Sequence, residues 1–193
     1  TLTSIEVVIG SAYADTLAAN AASTLAGGLG NDLYIVTGSG VVISEGSTGG
    51  TDTVETTLNS YALASNVENL TFTGTGNVTA TGNSLANIFL GGLGNDVLIG
   101  GAGADTLEGG SGTDTASYSN ASAGVTVDLS TGVHTGDAAG DIYVSIESIV
   151  GSSHADLLVG DADANAFNGG NGNDTLVGGL GADLLNGGSG DDT

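Results

Sequence analysis

The chain has 193 residues, of which 22 are Asp or Glu and none is Lys or Arg, giving a formal net charge of −22. Such a surface cannot grip a phosphate backbone, so nucleic acid is excluded as a direct partner, and no Lys or Arg exists to form a stabilising ion pair. No cysteine is present, which excludes disulfides and thiolate metal sites, and no apolar run approaches the roughly 20 residues needed to insert as a membrane span.

In chain order, Ser4-Ile5-Glu6-Val7-Val8 leads into GSAYADTLA from Gly10 and GGLGNDLYI from Gly27. Tyr34 to Thr73 is less regular. Its segments Tyr34-Ile35-Val36 and Val41-Val42-Ile43 read as strands, because β-branched and aromatic residues are bounded by Gly, Ser, Thr, Asn and Asp. Asn66-Val67-Glu68-Asn69-Leu70 repeats the opening pattern and precedes GNSLANIFL from Gly82. Three consecutive nonapeptides then fill Gly91 to Ser117: GGLGNDVLI, GGAGADTLE and GGSGTDTAS. A second irregular stretch, Ala116 to Val150, contains Val125-Thr126-Val127-Asp128-Leu129 and ends in Ser145-Ile146-Glu147-Ser148-Ile149. The last array is GSSHADLLV, GDADANAFN, GGNGNDTLV, GGLGADLLN and the truncated GGSGDDT, from Gly151 to Thr193.

A fixed period of this kind marks a repeat protein. The eighth place reads Leu17, Tyr34, Phe89, Leu98, Leu107, Ala116, Leu158, Phe167, Leu176 and Leu185, almost all large and apolar. A six-residue glycine-rich turn followed by a three-residue strand, its middle side chain inward, obeys the period-two rule for strands. Nine residues are then half a coil, and two halves close one turn of a flattened, right-handed parallel β-solenoid. The expected fold is all-β, with longer coils or hairpins between the arrays. The three Ile/Val-Glu segments divide one continuous solenoid, residues 1–193, into super-repeats at about 1–65, 66–144 and 145–193. The stop in mid-repeat gives the expectation that these residues belong to a longer protein.

The sixth place is acidic. Coils eighteen residues apart should align Asp96 with Asp114, Asp156 with Asp174 and Asp174 with Asp192, while Asn87 meets Asp105 and Asn165 meets Asp183. Neighbouring strands lie roughly 4.8 Å apart, a spacing at which carboxylates repel strongly without a counter-ion. Hard oxygen donors with no His or Cys beside them suit calcium, which takes six to eight oxygens, better than magnesium, which holds its water.

These nonapeptides resemble the RTX, or haemolysin-type, calcium-binding repeat, whose GGxGxDxUx pattern is a known β-helix signature. The resemblance implies a parallel β-roll with each calcium between two turns, held by sixth-place aspartates and turn carbonyls. Carried onto this chain, the acidic ligands are Asp32, Asp96, Asp105, Asp114, Asp174, Asp183 and Asp192. The carbonyl ligands are Gly27, Leu29, Gly91, Leu93, Gly100, Ala102, Gly109, Ser111, Gly169, Asn171, Gly178 and Leu180. Asp15 and Asp156 keep the carboxylate in turns that have lost glycines, and Asn87 and Asn165 offer a neutral oxygen, so those sites should be weaker or empty. About six calcium ions follow from pairing the turns.

A charge of −22 opposes compaction, so metal binding is expected to supply much of the folding energy. The resemblance further implies export by type I secretion and a secreted or cell-surface home, as an adhesin or surface-layer module. The alternatives are a calcium-binding region appended to a secreted enzyme and a self-associating fibre. Glycans remain a partner class, although an aromatic content of 4% offers few stacking platforms.

Catalysis is not expected. Paired carboxylates serve glycosidases and aspartic proteases, but here the pairs are many and equivalent, whereas an active site needs one pair made different. His134 and His154 read as exposed turn residues with no cysteine partners, which argues against zinc, and no lysine exists for a phosphate loop. Asp52, Asp137 and Asp141 follow glycines in the irregular stretches and are candidate extra ligands, with a solvated turn as the plainer reading. Glu6, Glu68 and Glu147 read equally as ligands or as charges that protect a strand edge.

Overall fold

A computed structural model describes residues 6–193; Ser4 and Ile5 of the opening segment lie outside the described residues. The described residues fold as an all-β solenoid of short strands, nearly all paired in parallel, with one 3-10 turn among them at Gly136–Ala138. Successive strands alternate between two faces. One face stacks Thr16–Ala19, Leu33–Val36, Thr53–Thr56, Asn69–Phe72, Ile88–Leu93, Thr106–Ser111 and Ile142–Val144 into a seven-stranded sheet. The other stacks Ser60–Ala62, Thr79–Thr81, Val97–Ile99, Thr115–Ser117, Ser148–Val150, Ala166–Asn171 and Leu184–Ser189. A three-stranded sheet, Val7–Ile9, Ser23–Ala26 and Val41–Ile43, precedes the second of these.

The repeat frame is interrupted once by a hairpin. Thr126–Asp128 pairs antiparallel with Val133–Thr135 and parallel with Leu157–Val159, which in turn receives Thr175–Val177. The sequence pattern allowed hairpins here, and the excursion explains why Asp105 and Asp141 become neighbours although 36 residues apart.

The inward column holds the fold together. Leu17, Tyr34, Val54, Leu70, Phe89, Leu107 and Tyr143 are successive register partners on one face, and Tyr61, Ala80, Leu98, Ala116, Ile149, Phe167 and Leu185 on the other. Tyr34, Leu70, Phe89, Leu98 and Leu107 are fully buried, and removing each from water stabilises the fold by about 1.5–3 kcal/mol. Leu185, on the last described coil, is 43% exposed because only one coil packs against it.

Two expectations are corrected. Strands such as Ile88–Leu93 and Thr106–Ser111 run six residues rather than three. There the second glycine of one turn lies over that of the next, Gly92 with Gly110, and the ladder continues through Leu93 and Ser111. His134 is a half-buried strand residue rather than an exposed turn residue. Its ring packs edge-on against Tyr143 at 5.1 Å and its Nδ1 accepts the Asp128 N–H. His154 is exposed in a turn, as read from the sequence.

Candidate metal centre

Every sixth-place residue except Asp192 immediately precedes a strand, so parallel stacking brings equivalent residues of successive coils together. The inner oxygen of the aspartate side chains accepts the backbone N–H of the corresponding residue one coil earlier. Asp114 Oδ1 takes Asp96 N–H at 2.8 Å, Asp174 takes Asp156 at 2.9 Å and Asp192 takes Asp174 at 3.0 Å. Asp105 takes Asn87 at 2.7 Å and Asp183 takes Asn165 at 3.0 Å. All five pairings expected from the eighteen-residue spacing are present.

The ladder also recruits residues that the nonapeptide frame does not specify. Asp52 Oδ1 accepts Asp32 N–H, Glu68 Oε2 accepts Asp52 N–H, Asp141 Oδ1 accepts Asp105 N–H and Glu147 Oε2 accepts Asp114 N–H. Glu68 and Glu147, each immediately before a strand, thus occupy the aspartate's place in the ladder. Glu6 stands in the same position before Val7–Ile9. Asp137 lies in the 3-10 turn and takes no such bond. A second ladder runs through the fifth place: Asn95 Oδ1 accepts Thr113 N–H at 3.0 Å and Asn77 Oδ1 accepts Asn95 N–H at 2.9 Å. The recurring Asn-Asp dipeptide in GGxGND carried that signal.

The outer oxygen decides which turns can hold a cation. In turns that begin Gly-Gly, the second glycine adopts positive φ, as at Gly92 (99°), Gly101 (95°) and Gly110 (102°), a conformation that only glycine reaches cheaply. Among the described residues, the Oδ2 atoms of Asp32, Asp96, Asp105, Asp114 and Asp174 are buried without a hydrogen-bond partner. Where the second residue is not glycine, its own N–H closes back onto the sixth-place oxygen. Ser11 N–H reaches Asp15 Oδ2 at 2.6 Å, Asn83 reaches Asn87 at 3.0 Å, Ser152 reaches Asp156 Oδ2 at 2.6 Å and Asp161 reaches Asn165 at 3.1 Å. These four turns are satisfied by their own backbone, which gives a physical reason for ranking them below the Gly-Gly turns.

The free oxygens do not stand alone. A β-carbon built on Gly91 would lie 2.5 Å from Asp96 Oδ2 and 2.7 Å from the Gly109 carbonyl oxygen; on Gly169 it would lie 2.3 Å from Asp174 Oδ2 and 2.6 Å from that of Gly187. Carboxylate and carbonyl oxygens of two coils therefore converge beside Gly91 and Gly169, in a cradle that any side chain would fill, and the turn's own aspartate crowds the first glycine in the same way at Gly27, Gly100, Gly109, Gly178 and Gly187. This all-oxygen donor set fits calcium. The third-place carbonyl of Ser111 also accepts Gly94 N–H at 2.9 Å, leaving one lone pair for other work.

Burial pushes Asp105 up to about 6, partly offset by its bond from Asn87 N–H, and raises Asp96, Asp114 and Asp174 above the ordinary carboxylate range. Burial makes each of these groups harder to ionise than a solvated carboxylate, and a bound cation offsets that cost.

Parallel coils with paired carboxylates and carbonyls between their turns define a cation-binding β-solenoid. The RTX calcium-binding nonapeptide repeat matches in four copies, at residues 3–34, 81–116, 146–176 and 159–193, together more than half the chain. The chain belongs to this family and is a calcium-binding structural module. No curated protein matches it in sequence. Asp52, Glu68 and Asp141 lie between the matched segments, which is why the repeat pattern alone did not place them.

Proposed function

We propose that this chain is a calcium-gated module of a secreted or cell-surface protein, non-catalytic itself and holding about six calcium ions when folded. The row of buried, unpartnered Oδ2 atoms at Asp32, Asp96, Asp105, Asp114 and Asp174 carries this reading. Such atoms are costly unless a cation satisfies them, so the folded state exists where calcium is plentiful. Where calcium is scarce the acidic chain stays extended and can pass through a secretion channel; on export, ions enter the turns and neighbouring coils stack cooperatively. No helix among the described residues is long and apolar enough to cross a membrane.

The free-calcium concentration at half-folding tests the gating. Followed by far-UV circular dichroism, the midpoint should fall at about 10⁻⁴ to 10⁻³ M, the range of extracellular calcium modules. A midpoint at or below about 10⁻⁷ M would place folding within reach of calcium inside cells and contradict it.

A further inference from the structure

Residues 35–80 lie outside the family match, yet they bring a third carboxylate to the first Gly-Gly turn. Asp32, Glu45 and Asp52 each offer an oxygen, and the three atoms lie within 4.8 Å of one another. Asp32 is 2% and Asp52 0% exposed, and the Oδ2 of each has no hydrogen-bond partner among the described residues. Those oxygens point into a shared space. A β-carbon on Gly27 would lie 1.9 Å from Asp32 Oδ2, and one on Gly49 would lie 2.6 Å from Glu45 Oε2 and 3.2 Å from Asp52 Oδ2.

Glu45 is held for this position. The Tyr34 hydroxyl donates to Glu45 Oε1, which also accepts Gly27 N–H at 3.0 Å, while the Tyr34 oxygen itself accepts Gly27 N–H at 2.7 Å. Asn66 Nδ2 donates to the Glu45 carbonyl at 3.0 Å from a residue held at φ 64°, which ties the Glu45 loop to the next coil. Three carboxylates this close repel strongly, and the chain contains no Lys or Arg to neutralise them.

We propose that Asp32, Glu45 and Asp52 form a three-carboxylate site for a hard divalent cation, in which two ligands from outside the nonapeptide pattern, Glu45 and Asp52, join the nonapeptide Asp32 and make the site tighter than the two-carboxylate turn sites. The proposal rests on the calcium reading of the turns only for the identity of the ion. Ligand charge count sets affinity in all-oxygen sites, so this site fills first. It pins the irregular coil through Glu45 and Asp52 to the regular turn that ends in Asp32.

Terbium alone, titrated into the calcium-depleted chain of residues 1–193, provides the test. With no tryptophan and five tyrosines in the sequence, sensitised emission must come from tyrosine, and Tyr34 touches a proposed ligand. The tightest emission phase should disappear in Tyr34→Phe, weaken about tenfold or more in Glu45→Gln, and persist in Glu108→Gln, whose side chain is exposed on a strand. Calorimetry should count one calcium fewer for a Glu45→Gln, Asp52→Asn double variant. An unchanged first phase in both Tyr34→Phe and Glu45→Gln, with the full calcium count in the double variant, would overturn the site. If Asp105→Asn still loses a calcium in that case, the turn reading stands and only the three-carboxylate site falls; if it does not, both fall.

Discussion

Chelating calcium with EDTA at pH 7 is expected to abolish the parallel sheets, leaving a coil-like far-UV spectrum and a larger hydrodynamic radius. Among the described residues, six aspartate Oδ2 atoms, those of Asp32, Asp52, Asp96, Asp105, Asp114 and Asp174, are buried without a hydrogen-bond partner. A bare buried charge costs several kcal/mol even after relaxation, and a domain's whole stability is only about 5–15 kcal/mol, so several uncompensated carboxylates together exceed it. Acid should partly replace the metal. Burial raises Asp105 and Asp52 from 3.8 to about 6, so the folded state binds these protons more tightly than the unfolded state. Their contribution to stability is full below the unfolded value of 3.8 and is lost as the pH rises through about 6. In EDTA, sheet signal should therefore return as the pH falls from 7 toward about 4. A sheet spectrum that is unchanged by EDTA at pH 7 would contradict the metal dependence.

Asp105→Ala should have the largest effect of any single aspartate substitution. Asp105 sits at the centre of its ladder, accepting Asn87 N–H and donating its own N–H to Asp141, and its Oδ2 is one of the free inward oxygens. Alanine removes a calcium ligand and strands the buried Asn87 N–H, the latter alone costing about 1–3 kcal/mol. Asp105→Asn keeps an acceptor for Asn87 but lowers the site's charge, so it should lose calcium affinity with a smaller loss of stability. Asp128→Ala is the control. Asp128 Oδ1 accepts the N–H groups of Ser130 and Thr131 within the hairpin turn, and the calcium count should stay at the wild-type value. Thermal melts and calorimetric calcium counts separate the three variants; identical counts for Asp105→Ala and Asp128→Ala would refute the ligand assignment.

Much of this site was legible in the sequence because the repeat is a geometric rule. A nine-residue frame fixes which coil lies above which, and so the Asp96–Asp114 and Asp156–Asp174 pairings follow from counting. What counting could not reach are contacts made by coils of other lengths. Asp32 meets Asp52 across 20 residues, Asp52 meets Glu68 across 16 and Asp114 meets Glu147 across 33. The Ile/Val-Glu segments signalled that their glutamates share a role, but choosing between ligand and edge protection needed the strand register. Glu45 was not singled out at all, because its role depends on a loop path and on the Tyr34 hydroxyl rather than on any spacing. The second glycine's importance was visible as a pattern, yet its chemical meaning emerges only from Ser11 and Ser152, whose N–H groups occupy the oxygen that a Gly-Gly turn leaves free.

Calcium is expected between coils, beside the first glycine of the Gly-Gly turns, most clearly Gly91 and Gly169. A crystal structure grown in calcium, with an anomalous difference map, tests it most directly. Peaks should lie between Asp96 Oδ2 and the Gly109 carbonyl, and between Asp174 Oδ2 and the Gly187 carbonyl, with weaker or no peaks at the self-closed Asn87 and Asn165 turns. Ordered sheets with no anomalous peak beside Gly91 or Gly169 would contradict it.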